Sequence, residues 1–206
     1  MNQSLSIKAR FIGLLLPFFC CNLVHAQNWD INLLKSINHN PPSSSVWKGI
    51  SSTAEPLSVG IPAGMLLAGL INHDPKLKSQ SLESLLSVTA TAIATEGLKI
   101  LVNRQRPYEK YPLEVFPYDA KESGKSFPSA HTSLSFATAT SLSLVYKKWY
   151  VTVPAFAWAA SVGYSRLYLG EHYPSDVIAG AAVGVAGAYI SHWLNKKLFP
   201  IKKKTS

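Results

Sequence analysis

Residues 175–195 read SDVIAGAAVGVAGAYISHWLN, and the reading of this stretch decides the fold. It matches the roughly 20 residues that an α-helix needs to cross a bilayer. Its one acidic residue, Asp176, stands at its start, and it holds no Lys or Arg. Gly180, Gly184 and Gly187 recur at helical spacing, where small residues let a neighbouring helix come close; packing is their plain reading. Four more apolar segments precede it, at 56–72, 83–103, 131–147 and 149–168. Residues 29–38, WDINLLKSIN, carry apolar side chains at Trp29, Ile31, Leu33, Leu34 and Ile37, which predicts a short amphipathic helix lying on a surface. A Pro/Ser-rich break, 38–45, follows it. The expected fold is therefore all-α: a membrane-embedded bundle of one amphipathic and about five apolar helices. The run HTSLSFATATSLSL from His131 pulls the other way, because a buried helix of a soluble protein could look the same.

Composition leaves the membrane question open. Of 206 residues, 47% are hydrophobic and 15% charged, against about 25% charged in a typical soluble domain. The mean hydropathy of +0.10 is modest for a chain that crosses a membrane several times. Residues 1–26 read as a secretory signal: Lys8 and Arg10, an apolar run over 11–21, then Val24-His25-Ala26 as a cleavage site before Gln27. The run is short for a retained helix. Residues 27–206 then form one domain. Cys20 and Cys21 lie inside the signal, so the processed chain has neither a disulfide nor a thiolate metal site. The net charge of +9 falls to +7 with the loss of Lys8 and Arg10. These charges form no single stripe, which argues against nucleic acid as a partner and suits lysines flanking a membrane.

Three clusters of reactive side chains fall between the apolar segments. Lys99 and Arg106-Pro107 close the second segment, Pro128-Ser129-Ala130-His131 opens the third, and Ser165-Arg166, His172 and Asp176 join the fourth to the fifth. Antiparallel helices would bring all three to one end of the bundle. Lys99, Arg106 and Arg166 offer fixed positive charge, and guanidinium groups match phosphate oxygens with paired hydrogen bonds. Ser129 adds a hydroxyl, and the backbone N–H groups near Ala130 open a helix, where an anion is favoured. Such a cradle suits a phosphoryl group and the charge of its transition state. Two histidines divide the remaining work. Asp176 lies one helical turn after His172, so it can bind one imidazole nitrogen and leave the other as nucleophile. His131 is then the general acid. No metal-ligand cluster is evident in the sequence.

The pattern Lys-x6-Arg-Pro, Pro-Ser-x-His, Ser-Arg-x5-His-x3-Asp resembles the three-part signature of the type 2 phosphatidic acid phosphatase superfamily. Lys99, Arg106 and Pro107 match the first part; Pro128, Ser129 and His131 the second; Ser165, Arg166, His172 and Asp176 the third. The motifs cover about 99–176, and the apolar pattern extends the likeness to about 29–195. The resemblance implies an α-helical bundle, a phosphohistidine on His172, proton donation by His131, and no metal or other cofactor. The family generally has Gly where this chain has Ala130. The backbone donors survive that change, but a methyl group faces the cradle, which bears on substrate fit and not on reaction class.

The segment SRLYLGEHYPSDVIAG, 165–180, looks like the membrane-bound lipid phosphatases of that superfamily. The expected substrate is a lipid phosphate or a polyprenyl pyrophosphate. Undecaprenyl pyrophosphate, phosphatidylglycerophosphate, phosphatidate and a lipid A phosphate all stay open, as does the oligomeric state. A soluble secreted, periplasmic acid phosphatase of the same superfamily is the first alternative. Vanadium haloperoxidases share the motifs but are much larger chains. A catalytically silent membrane scaffold is disfavoured by the complete set of reactive side chains. Helix parity after cleavage at Ala26 directs the site to the periplasmic face of a bacterial inner membrane. The Lys/Arg count, nine on either side, does not decide the matter. Glu96 reads as a helix partner of Lys99, and Glu171 as pointing away from the site. His39, His73 and His192 read as interfacial, and Tyr164, Tyr168 and Tyr173 as an aromatic belt or, second, as the lining of a lipid-entry groove.

Overall fold

The computed structural model describes residues 29–119 and 124–198; the expected signal and its two cysteines lie outside them. The described residues form helices and no strand. The order is α1 (29–37), α2 (Ser45–Ser52), α3 (Ala54–Ile71), α4 (Pro75–Val102), α5 (Pro107–Lys110), α6 (Ala130–Tyr146), α7 (Trp149–Tyr168) and α8 (Pro174–Leu198). Local chemistry sets these limits. Asp74 accepts hydrogen bonds from Lys76 N and Leu77 N, with Pro75 at the first helical position, and so starts α4 eight residues before the expected 83. Asn103 and Lys147, both left-handed, end α4 and α6. Ser44 caps α2, a helix that the sequence reading did not anticipate.

The polarity of the bundle is inverted relative to a soluble protein. The buried positions of α4 include Ser81, Ser84, Ser87, Thr91 and Thr95, and those of α6 include Thr132, Ser133, Ser135, Thr138 and Thr140. Leu67, Ile71, Leu86, Ile93, Ile178 and Ile190 are exposed. A continuous apolar exterior of this kind needs an apolar surrounding, and small hydroxyl side chains inside let helices pack closely. The Ser/Thr content of α6 therefore faces neighbouring helices, which removes the objection that it raised. Three stretches, Ala54–Ile71, Pro75–Lys110 and Pro174–Lys197, are long and apolar enough to cross a membrane. The protein is a membrane-embedded helical bundle.

The glycines of α8 set the helix spacing. A Cβ on Gly180 would lie 2.7 Å from the carbonyl oxygen of Ser129, and one on Gly184 would meet the backbone of α6 at Ser133 and Ala137. One on Gly187 would strike Thr91 of α4. α8 thus sits against α6 and α4 at near-backbone contact, and its first turn lies beside the first turn of α6.

The amphipathic helix differs from expectation. Ile31 and Leu34 of α1 are buried in a cluster with Tyr108, Val115, Leu167 and Tyr173, with Ile37 packed against it. Its apolar face is spent on the protein's own α5, the loop after it and the end of α7, so α1 does not lie loose on a surface. Asn38, just after α1, bonds the carbonyls of Phe116 and Tyr168 and the N–H of Phe116. Gly170, at φ +71°, passes so close to Phe116 and Asn38 that no side chain would fit there.

Candidate active site

Lys99, Arg106, Ala130, His131 and His172 line one cavity of about 330 Å³. The antiparallel order of the helices produces this. Lys99 closes the last turn of α4, Ala130 and His131 open α6, and His172 sits in the loop between α7 and α8. Glu55, Glu96, Ile100, Gly124 and Lys125 complete the wall. Ser129, Arg166 and Asp176 are buried behind it and do not line it.

His172 is 1% exposed. Its Nδ1 lies 3.6 Å from Asp176 Oδ2 and 3.5 Å from Ser126 Oγ. The first distance exceeds an ordinary hydrogen bond, so in this geometry the carboxylate acts on the imidazole mainly as a nearby charge. Ser126 Oγ also donates to Asp176 Oδ2, which places that hydroxyl beside both groups. Asp176 Oδ2 accepts a further bond from Tyr173 N at 3.0 Å, and Oδ1 accepts one from Arg104 Nη1 at 2.6 Å. Ser129 N donates to the Asp176 carbonyl at 3.1 Å, which ties the second motif to the third through the backbone.

The cations are held from behind. Lys99 Nζ donates to the Lys125 carbonyl. Arg106 donates to the Gly124 carbonyl at 3.2 Å and to the Glu171 carbonyl at 3.1 Å, and forms a buried ion pair with the Glu171 carboxylate at 3.3 Å. Arg166 Nη1 donates to Ser51 Oγ at 2.8 Å. Ser129 Oγ accepts from Thr132 Oγ1 at 3.0 Å. Guanidinium groups with one edge fixed in this way keep their planes oriented before any anion arrives.

Burial depresses the His172 pKa to about 4. The neighbouring Asp176 carboxylate opposes this shift, and the positive charges of Arg166 and Arg106 reinforce it. The imidazole is therefore neutral at pH 7 with its lone pair available. Chemistry that needs this lone pair is expected to persist at pH 5, where an ordinary imidazole of pKa about 6.5 is mostly protonated, and to fall off near pH 4. A pH series of quenched, single-turnover reactions reads this; loss of the step around pH 6.5 would contradict it. Stability follows the same sign. The neutral, buried ring favours the folded state above pH about 6.5, and that contribution is lost as the pH falls from there towards 4.

Several expectations need correction. Glu171 does not point elsewhere: it is buried against Arg106, and its Oε1 accepts Asp119 N at 3.2 Å. Tyr173 is not interfacial but buried beneath Arg104, whose Cζ lies 3.8 Å from the ring centroid. Tyr164 packs on Trp47 at 4.7 Å and stays 40% exposed, which an interfacial position allows. His192 bonds the buried Glu83, which also takes Asn195, joining α4 to α8 away from the cavity. Glu96 shares the cavity wall with Lys99. Asp30, Ser51, Arg104 and Ser126 were not singled out as site residues from sequence. Only Arg104, in the run Arg104-Gln-Arg106, carried a local signal.

Residues 80–200 match the PAP2 superfamily, and the chain belongs to that family. It is 34% identical over 118 residues to the lipid A 4'-phosphatase of Bacteroides thetaiotaomicron, covering 55% of this chain and 52% of that protein. It is 30% identical over 118 residues to the undecaprenyl-diphosphatase of Sulfolobus acidocaldarius, covering 57% and 56%. The matches thus span about half the length of these relatives. A transmembrane PAP2-type phosphatidylglycerolphosphate phosphatase of Bacillus subtilis superposes with a TM-score of 0.66 at 24% identity, over 98% of this chain and 100% of that one. At that identity the likeness concerns the fold.

Proposed function

We propose that the protein is a metal-independent phosphatase that hydrolyses a phosphomonoester or pyrophosphate of a lipid-linked substrate through a phosphohistidine. The observation that carries this reading is the convergence of Lys99, Arg106, the N-terminus of α6 and His172 on one cavity. The lone pair of His172 attacks phosphorus, and the bond to the leaving oxygen breaks as His131 protonates it. Water, activated by the same His131, then attacks the phosphohistidine and releases inorganic phosphate. Lys99, Arg106 and the Ala130 backbone, which line the cavity, balance the charge on the phosphoryl oxygens, and Arg166 and Ser129 support them from behind its wall. Ile100, 78% exposed, forms an apolar lip between this cavity and the outer face of α4, where Ile93 and Leu101 are also exposed. That lip supports a substrate whose phosphate enters the cavity while its chain stays in lipid. The relatives act on a lipid A phosphate or a polyprenyl diphosphate, as their names state, and either class fits this reading.

A panel of undecaprenyl pyrophosphate, phosphatidate, phosphatidylglycerophosphate, lipid A and an aryl phosphate tests it. Phosphate release should occur from at least one lipid and persist in the presence of a chelator. His131→Ala should slow alkyl phosphates by about 10²-fold or more and the aryl phosphate less, because a poor leaving group most needs the proton. Activity that a chelator abolishes and magnesium restores, or equal losses on both kinds of ester, would overturn the corresponding role.

We further propose that residues 1–26 are a cleaved signal and that the cavity faces the periplasm. Lys110 lies near the cavity end and Lys148 between α6 and α7, and both are exposed. Lys110→Cys in intact cells should react with a membrane-impermeant thiol reagent, and Lys148→Cys should not. The opposite pattern would reverse the topology.

A further inference from the structure

Asp30 is an acidic residue on the otherwise peripheral helix α1, yet it is only 3% exposed. Its Oδ1 accepts the N–H of Ser175 at 2.8 Å, and its Oδ2 accepts the hydroxyl of Ser175 and Arg104 Nη2, the latter at 2.7 Å. It thereby caps the first turn of α8 from a different helix. The other arm of Arg104 donates to Ser175 Oγ at 2.7 Å and to Asp176 Oδ1 at 2.6 Å. The guanidinium is further confined by the Tyr173 ring. One planar cation thus grips two buried carboxylates, one on α1 and the other beside the nucleophile.

We propose that Asp30 and Arg104 are a positioning pair for the reaction, fixing the rotation of the Asp176 carboxylate so that Oδ2 faces His172 and Ser126. The inference rests on the reading of His172 as the nucleophile. Without the Arg104 contact, Oδ1 loses its partner and the carboxylate can turn about its last bond. Without Asp30, Arg104 loses the charge that holds its far arm, and the first turn of α8 loses its cap. A lysine at 104 supplies a point charge but cannot bridge both carboxylates. Neither residue lines the cavity, so the pair acts through Asp176 and not on the substrate.

The test uses the full-length enzyme in mixed micelles with phosphatidate and with undecaprenyl pyrophosphate. Asp30→Asn and Arg104→Lys are each expected to lower kcat and the rate of phosphoenzyme formation on the order of 10²-fold. KM should stay within about two-fold, and the double variant should be no worse than the worse single one. A helix tether with no part in the chemistry would lower thermal stability and leave kcat intact. So kcat within about three-fold of the parent, a loss confined to KM, or additive losses would overturn the inference. If Asp30→Asn does not fold, Asp30→Glu keeps the charge but displaces it by one methylene, and it is read by the same kcat and KM criteria. His172→Ala is run alongside. A phosphoenzyme that persists in it removes the reading of the site itself. Its loss, together with a fully active Asp30→Asn, removes the positioning pair alone.

Discussion

Replacing His172 with alanine is expected to lower turnover by ~10⁴-fold or more and to remove the phosphoenzyme with it. The ring is buried, with Nδ1 turned towards Asp176 and Ser126, which leaves Nε2 for the cavity. No other imidazole among the described residues has this combination of burial and orientation. His131 is only partly buried, His73 is exposed, and His39 and His192 bond groups away from the cavity. Protein incubated with radiolabelled substrate and quenched in alkaline detergent should carry label that is stable to base and released by acid, and the variant should carry none. Undiminished turnover by a folded His172→Ala enzyme would end the phosphohistidine mechanism.

Asp176→Asn should be nearly as damaging, on the order of 10³-fold in kcat, although it changes a single atom. The carboxylate accepts on both oxygens from groups that can only donate: Arg104 on Oδ1 and the Tyr173 N–H on Oδ2. An amide placed either way sets its NH₂ against one of these donors. The Ser126 hydroxyl can turn to accept, but a guanidinium or a backbone N–H cannot. The opposed, buried donor costs about 1–3 kcal/mol, so the thermal unfolding midpoint should drop together with kcat. A variant with parental kcat would show that Asp176 holds the loop and does not orient His172. Parental stability with low kcat would show the converse.

Much of this architecture was legible because the informative residues are rare in their setting. Charged and imidazole side chains at three helix ends, among long apolar segments, have few uses other than a common site, and Lys99, Arg106, His131 and His172 do share a cavity. The apolar segments likewise gave α3, α6, α7 and α8 nearly their full lengths. The rest lacked a local signature. α2 has eight residues and no apolar run, and only its Ser44 cap could have marked it. Ser126 reaches Asp176 across 50 residues, and Asp30 reaches Ser175 across 145. A serine in a loop or an aspartate on a short helix does not reveal such a partner. Glu171 stands next to His172 in sequence, but adjacency says nothing of direction; its carboxylate turns to Arg106. The Ser/Thr-rich face of α6 misled for a related reason, because composition reports polarity and not which side of the helix carries it.

The bonds from Asp30 to Ser175 join the first described helix to the last, 145 residues further on. A contact between such distant parts of a chain forms late, because most of the intervening loop must already be closed. A ribosome inserting this protein releases α1 early and has to wait for α8, which brings Asp176, the capped turn and the glycines that seat it on α6. Until then Lys99, Arg106 and His131 are already present, yet Asp176, the charged neighbour of His172, is missing. On the proposed mechanism the order of synthesis acts as a timer: hydrolytic competence arrives only with α8, so chains stalled before it would be inert towards the phosphates of the membrane into which they are threaded.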